Sequence, residues 1–166
     1  MTNTLIVMGV SGTGKSTLAR ALAEQLQWEF LEGDDYHPKA NIEKMRRGEA
    51  LADEDRWPWL NAMHETIAEK QHQKQPLVVT CSALKKSYRE KLVRNLEGVE
   101  FVYLCGDPET ILARMRQRKK HFMPAVLLDS QVAALEPPET AIFIPIDLTT
   151  EEQVAAVIQQ LQSSMY

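Results

Sequence analysis

Five apolar runs of strand length, separated by longer segments of helical period, place the strongest constraint on the fold. They span residues 4–8, 29–31, 77–81, 101–104 and 141–146 and are rich in β-branched or aromatic residues. Most of them are continuously apolar rather than alternating, which is typical of strands covered on both faces. Strands that alternate with helices form a parallel sheet with helices on its faces. The sequence therefore predicts an α/β fold, a five-stranded parallel sheet flanked by helices in three layers.

The helices are predicted from apolar spacing and from the residues that begin or end them. The first runs from residue 15 to about residue 27, because Leu18, Leu22 and Leu26 recur on one stripe. The last follows the capping-box pair Thr149 and Glu152. Three further helices are predicted: residues 84–96 ended by Gly98, a helix opened by Asp107 and Pro108 and running through Met115, and a helix starting at Pro58.

Length and composition exclude several classes of protein. A chain of 166 residues predicts a single domain over residues 1–166. The net charge of −4 lacks the basic excess that nucleic-acid binding needs. The longest apolar stretch near the start, residues 5–8, is too short for a membrane span or a signal-peptide core. We therefore expect a cytoplasmic protein with no membrane partner, in which Cys81 and Cys105 are buried, reduced thiols.

The most specific motif is G-x-x-x-x-G-K-S between the first predicted strand and helix, the context in which it forms a phosphate-binding loop. Its glycines let successive N–H groups point at phosphate oxygens, and the following helix adds its positive end. We expect the lysine to reach the β- and γ-phosphates of ATP and the serine hydroxyl to hold Mg²⁺. The predicted nucleotide-binding residues are Gly9, Val10, Ser11, Gly12, Thr13, Gly14, Lys15, Ser16 and Thr17.

The phosphate-binding loop alone does not define the reaction class. The chain carries neither the D-x-x-G nor the N-K-x-D element of a switch GTPase, and it is short for a mechanical ATPase. A phosphotransferase acting on a small molecule remains, because it needs phosphate positioning, a second pocket and a lid.

Acceptor residues are expected beyond the carboxyl ends of the strands, where ligands bind in open α/β sheets. After the second strand, Asp34 is the preferred base for an attacking hydroxyl, although Asp34 and Asp35 could instead cap the next helix. Arg56 suits a carboxylate in the substrate or in the neighbouring acids. After the third strand, Ser82 and Lys85 stand where many nucleotide-hydrolysing proteins have a metal-binding Asp. Because that Asp is absent, we expect Asp34 to orient the metal ion.

A basic segment after the fourth strand predicts a mobile lid over approximately residues 114–125. Its cations would neutralise charge on the transferred phosphoryl group, and the alternative is a solvated basic helix end. The segment contains Arg114, Arg116, Arg118, Lys119, Lys120 and His121.

Together these motifs resemble those of the gluconate kinases, or gluconokinases. The resemblance covers nearly the whole chain, and its most specific parts are residues 41–45 and 81–89. It implies a nucleoside-monophosphate-kinase-like fold, ATP-dependent phosphorylation of the terminal hydroxyl of D-gluconate to 6-phospho-D-gluconate, and a homodimer.

The resemblance also implies roles for individual residues. Asp34 is the implied base, although the adjacent Asp35 leaves that assignment open. Arg114 and Arg118 resemble lid arginines, one stacking on adenine and the other contacting phosphate, and Lys15, Mg²⁺ and Arg118 would stabilise the transferred group. The implied sugar-acid residues are His37, Arg56, Ser82, Lys85 and Arg89, with His121 and Gln131 as weaker candidates.

Two other functions compete with this prediction. A shikimate-kinase-like enzyme would carry a run of glycines after the third strand, where this chain has Cys81, Ser82 and Ala83. A regulatory module would bind ATP without transferring phosphate.

Overall fold

The sheet contains the predicted five strands, all parallel. The computed structural model describes residues 1–117 and 126–163. Within them the strands are β1 (Thr4–Met8), β2 (Glu29–Glu32), β3 (Leu77–Thr80), β4 (Val99–Cys105) and β5 (Ile142–Pro145). Their order in the sheet is β2-β3-β1-β4-β5. The predicted α/β class is therefore confirmed, and the carboxyl ends of β1, β2 and β3 meet at one edge.

Helices connect and cover these strands. They are α1 (Lys15–Leu26), α2 (Lys39–Arg46), α3 (Asp53–His72), α4 (Lys86–Val93), α5 (Pro108–Gln117), α6 (Val126–Ala134) and α7 (Thr150–Ser163), with a 3₁₀ turn at Gly33–Tyr36. Strand β1 is wholly buried at the centre of the sheet. Helix α1 packs on β1, β3 and α7, whereas α3 packs on α4.

Several helix signals in the sequence are confirmed. Leu18 and Leu22 of α1 are fully buried, as their spacing predicts. The Thr149 hydroxyl accepts from the Glu152 N–H at 3.1 Å and the Glu152 carboxylate accepts from the Thr149 N–H at 3.0 Å, so the capping box forms before α7. Pro108 is the first residue of α5, where its missing N–H costs no helical hydrogen bond.

The predicted start of a helix at Pro58 is wrong. Helix α3 begins at Asp53, and Pro58 lies inside it. A proline this close to the start removes one intrahelical hydrogen bond. In return the Asp55 carboxylate accepts from the Ala52 N–H at 2.7 Å, and three acids occupy the positively polarised first turn.

The predicted helix over residues 84–96 is too long. Lys85 has extended backbone and precedes α4, while Asn95, with φ 58°, follows its end in the left-handed region. Gly98 does not end a helix; its carbonyl accepts from the N–H groups of Asn3 and Thr4 at 2.9 and 3.1 Å. Gly98 therefore positions the start of β1.

None of the helices in the described part of the chain combines the length and the apolar character required to cross a bilayer.

Candidate active site

The loop between β1 and α1 has the conformation that a phosphate-binding loop requires. Gly9 and Gly14 have φ values of 145° and 94°, which side-chain-bearing residues rarely adopt. A Cβ at Gly9 would also lie 3.1 Å from the Leu104 carbonyl oxygen. The Thr13 hydroxyl donates to the Val10 carbonyl at 2.9 Å and closes the loop. Helix α1 starts directly after Gly14, so its positive end lies at the loop.

Lys15, the first residue of α1, bends back over this loop. Its Nζ donates to the Val10 carbonyl oxygen at 3.1 Å, and its side chain lines the adjoining cleft. This position beside the loop is compatible with the predicted contact between Lys15 and the outer phosphates of a nucleotide.

Ser16 contacts the carboxylate of Glu32, which is not among the site residues predicted from the sequence. The Ser16 hydroxyl donates to Glu32, at 2.7 Å from Oε2, and the Thr80 hydroxyl donates to Glu32 Oε1 at 2.6 Å. Glu32 ends β2 and Thr80 ends the neighbouring β3. The feature of the sequence that could have identified Glu32 is its position at the carboxyl end of a strand, directly before Gly33.

This group has the chemistry of a magnesium site. Hydroxyl and carboxylate oxygens are hard donors that Mg²⁺ prefers, and a few protein ligands suffice because phosphates and water supply the rest. The described residues contain no cluster of three or more His, Cys, Asp or Glu side chains able to hold a metal ion by themselves. Ser16 and Glu32 therefore fit Mg²⁺ bound together with nucleotide phosphates.

A cleft next to Lys15 contains most of the predicted acceptor residues. Polar side chains and the indole of Trp59 line it together with apolar groups from α2, α6 and the loop before α3. The predicted residues among them are Ser11, Lys15, Asp34, His37, Arg56, Ser82 and Gln131.

Asp34 and Asp35 are both exposed residues of the 3₁₀ turn after β2, but only Asp34 is among the residues that line this cleft. Helix α2 follows Pro38 and has no side-chain cap, so neither aspartate caps it. The geometry favours Asp34 over Asp35 as the base, and the alternative of helix capping is wrong for α2.

His37 is held between aromatic and polar neighbours. Its ring stacks on Trp59 with centroids 4.1 Å apart and planes 15° apart. Burial, assisted by the Arg56 guanidinium, lowers the pKa of His37 to about 4. The ring is therefore neutral at physiological pH.

Arg56 and Lys85 belong to one network centred on Tyr88. Arg56 Nη1 donates to the Tyr88 hydroxyl at 3.1 Å and to the Leu51 carbonyl at 2.6 Å, and Tyr88 donates to Asp53 at 2.5 Å. Lys85 Nζ lies 3.4 Å from the same Asp53 carboxylate. The hydrogen bond from Tyr88, reinforced by Lys85, holds the pKa of Asp53 below its usual range. Lys85 reaches this network at the side of the cleft without lining it.

Arg89 has a different environment from the one that the resemblance implies. It is buried, and its guanidinium donates to the carbonyls of Ala83, Leu84 and Glu136 at 2.7, 3.2 and 2.8 Å. These bonds join the loop after β3 to the segment after α6. Arg89 does not line the cleft, so a contact with substrate stays a prediction that this geometry does not favour.

Gln131 of α6 and Arg114 of α5 connect their helices to the body of the protein, and α5 includes the first four residues of the predicted lid. Gln131 of α6 accepts from the Ser11 N–H at 2.7 Å, which places α6 against the phosphate-binding loop. Arg114 of α5 donates to the Ile146 carbonyl at 2.9 Å. The predicted lid residues Arg118, Lys119, Lys120 and His121 lie outside the described residues.

Comparisons with known proteins agree with this geometry. A family model described as an AAA domain matches residues 5–138. The gluconokinase of Gluconobacter oxydans is 50% identical over 134 residues, covering 81% of this chain and 75% of the relative. A probable gluconokinase of Mus musculus is 43% identical, covering 95% of this chain and 97% of the relative.

A solved structure gives the same result. The crystal structure of a gluconokinase from Sinorhizobium meliloti has a TM-score of 0.87 and 40% identity, covering 99% of this chain and 95% of that one. The extent and identity of these matches, on a fold with a phosphate-binding loop beside an acceptor cleft, show that this chain belongs to the gluconokinase family.

Proposed function

We propose that this protein transfers the γ-phosphoryl group of ATP, with Mg²⁺, to the terminal hydroxyl of D-gluconate. The observation that carries the proposal is that Lys15, on the phosphate side, and Asp34, on the acceptor side, line one cleft. Phosphoryl transfer needs the two substrates in line and charge neutralisation around the transferred group. Membership of the gluconokinase family supports gluconate as the acceptor.

On the nucleotide side, the loop from Gly9 to Thr17 would bind the phosphates through its backbone N–H groups. Lys15 would leave the Val10 carbonyl to contact the outer phosphates. Ser16 and Glu32 would hold Mg²⁺. When bound there, Mg²⁺ would supply positive charge that offsets the negative charge of the nucleotide phosphates.

On the acceptor side, Asp34 would accept the proton of the attacking hydroxyl. Arg56 offers a guanidinium for the substrate carboxylate, and Ser82 and His37 offer hydrogen bonds to its oxygens. Lys85 contacts Asp53 at the side of the cleft, so its direct contact with gluconate requires movement of that side chain. An acceptor rich in hydroxyls, with one carboxylate, matches this mixture of cations and hydrogen-bonding groups.

The remaining features of the proposal are predictions. They are a lid over residues 114–125, with Arg114 and Arg118 at the nucleotide and His121 at the acceptor, contact of Gln131 with the acceptor, a single domain over residues 1–166, a cytoplasmic location and a homodimer.

An acceptor screen tests the function. ADP release is followed by a coupled assay with ATP, Mg²⁺ and, in turn, gluconate, shikimate and nucleoside monophosphates. We expect ADP formation that depends on gluconate. Turnover with shikimate instead would favour a shikimate-kinase-like enzyme, and nucleotide binding without acceptor-dependent ADP would favour a regulatory module.

A further inference from the structure

The imidazole of His37 is fixed in the acceptor cleft by an indole that is itself anchored. Trp59 of α3 is 1% exposed, and its Nε1–H donates to the Gly33 carbonyl at 2.8 Å. The His37 ring stacks on this indole nearly in parallel. Gly33 directly precedes Asp34, so one indole sets the plane of the imidazole and contacts the backbone that carries the base. The ring can therefore present a nitrogen to the acceptor in a defined direction.

A neighbouring amide determines which ring nitrogen carries the proton. Asn41 of α2 is buried, and its Nδ2 donates to the Asp55 carbonyl oxygen at 2.8 Å. A carbonyl oxygen only accepts, so the amide nitrogen, and not the amide oxygen, must face it. The same nitrogen lies 3.2 Å from His37 Nδ1. Since an amide nitrogen only donates, Nδ1 must accept and carry no proton.

The charge of the ring follows from the groups around it. Arg56 of α3 and Lys15 of α1 bring positive charge to the cleft. Asp34 brings negative charge from the 3₁₀ turn that directly precedes His37. Asp55 contributes its carbonyl to Asn41, while its carboxylate pairs with Lys44 at 2.8 Å. Burial and Arg56 keep the ring neutral, with a pKa of about 4. A neutral ring with a bare Nδ1 carries its single proton on Nε2.

We propose that Asn41 is a positioning residue that holds His37 as the neutral Nε2–H tautomer, so that this N–H donates a hydrogen bond to an oxygen of the acceptor. The proposal rests on the proposed function for the identity of that acceptor. Within the described residues, the imidazole ring of His37 forms its hydrogen bond with Asn41, through Nδ1. Nε2 therefore remains for a contact in the cleft that His37 lines. Because Nε2 then has no lone pair to offer, the ring does not compete with Asp34 for the hydroxyl proton.

The tautomer can be measured without substrate, in long-range ¹H–¹⁵N spectra of the histidine rings at neutral pH. His64 is an internal reference, because its Nδ1 lies 2.9 Å from the Leu92 carbonyl and must donate to it. We expect a bare Nδ1 for His37 and a protonated Nδ1 for His64, with the His37 signals assigned by their loss in His37→Gln. A proton on His37 Nδ1, or a doubly protonated ring at neutral pH, would overturn the proposal.

The variant Asn41→Asp tests the use of the tautomer. A carboxylate cannot donate to Nδ1; it accepts from Nδ1–H, and the neutral ring then presents a bare Nε2. At pH 8 we expect kcat/KM for gluconate to fall about tenfold, as for the loss of one hydrogen bond, with the KM for ATP unchanged. The loss should diminish as the pH falls and His37 becomes doubly protonated, because Nε2 then carries a proton again.

Asn61→Asp is the matched control, since Asn61 contacts Arg94 and lies outside the cleft. Asn61→Asp adds the same negative charge to the protein as Asn41→Asp and leaves Asp34 unchanged. The dependence of its kcat/KM on pH should therefore follow that of the wild type. A loss in Asn41→Asp that does not change with pH would contradict the proposal. If Asn41→Asp does not fold, the wild-type spectrum decides alone. Absence of gluconate turnover in the wild type would refute the proposed function and leave the tautomer measurement intact.

Discussion

Glu32 and Asp34 lie two residues apart, yet their surroundings suit them to different tasks. Glu32 accepts hydrogen bonds from the hydroxyls of Ser16 and Thr80, which places it on the nucleotide side. Asp34 lines the cleft on the acceptor side. The separation of the two carboxylates comes from the intervening Gly33, where the chain leaves β2 for the 3₁₀ turn.

Replacing Asp34 tests its role as the base. Asp34→Asn should lower kcat about 10²–10⁴-fold, because the amide cannot accept the hydroxyl proton, while ATP binding changes little. Asp35→Asn is the matched control and should keep kcat near that of the wild type, because Asp35 does not line the cleft. Steady-state kinetics with both substrates measures this, and a larger loss in Asp35→Asn would transfer the role to Asp35.

Replacing Glu32 tests the magnesium site. In Glu32→Gln the neutral amide attracts a cation less strongly than the carboxylate does, so the Mg²⁺ concentration for half-maximal rate should rise about 10–100-fold. Glu29→Gln is the control, since Glu29 begins the same strand and pairs with Lys70 at 2.9 Å on the surface. Equal Mg²⁺ dependence of both variants would show that Glu32 does not hold the metal.

At the scale of elements, the close contact between β2 and β3 brings the two sides of the site together. Gly33 follows β2, and its N–H donates to the Thr80 hydroxyl at 3.0 Å. A Cβ at this position would collide with the Thr80 carbonyl oxygen and lie 3.0 Å from Met63 Cε. The missing side chain therefore allows Glu32 and Asp34 to reach their positions.

The variant Gly33→Ala should therefore change both stability and activity. The new methyl group must push the end of β2 away from β3, at a cost of about 1–3 kcal/mol in the free energy of unfolding. Urea denaturation measures this cost, and the rate at saturating Mg²⁺ and ATP should fall because Glu32 and Asp34 are displaced. Unchanged stability together with an unchanged rate would show that the contact has no such function.

How much the sequence predicts depends on whether a signal is local. The conformation of the loop from Gly9 to Ser16 and the capping box before α7 are as predicted, because the residues that form them are close in sequence. The helix start predicted at Pro58 is wrong because three acids and the Asp55 cap let α3 begin earlier, at Asp53. The helix end predicted at Gly98 is wrong because Gly98 instead contacts the start of β1.

The parts of the site that are not predicted from the sequence depend on tertiary contacts. Glu32 acquires its place from Ser16 and Thr80, which belong to different elements, and Asn41 acquires its place from His37 and the Asp55 backbone. Arg89 has the residue type of a substrate ligand, but the carbonyls that surround it come from the loop after β3 and the segment after α6. Such pairings become visible only when the elements are assembled.

At the scale of the whole molecule, folding stability should depend on the charge of His37. The pKa of its ring is 6.5 in the unfolded chain and about 4 in the folded protein. As the pH falls from 6.5 to about 4, the unfolded chain takes up a proton that the folded protein does not, so stability is lost. The loss amounts to about 3 kcal/mol at most.

The variant His37→Gln isolates this contribution from that of the carboxylates. Chemical denaturation of wild type and variant across the pH range should show a steeper loss of unfolding free energy in the wild type as the pH falls. Parallel curves would mean that the imidazole is not held neutral by the fold.

The central claim, that one cleft brings the nucleotide and the sugar acid together for transfer, is tested most directly by the chemical position of the new phosphate. The protein is incubated with ATP, Mg²⁺ and D-gluconate, and the product is examined by ³¹P–¹H correlation spectroscopy. We predict one phosphorylated sugar acid for each ADP, with the phosphorus coupled to the protons of the terminal carbon. ADP without a phosphorylated sugar acid, or phosphate on another hydroxyl, would contradict the account.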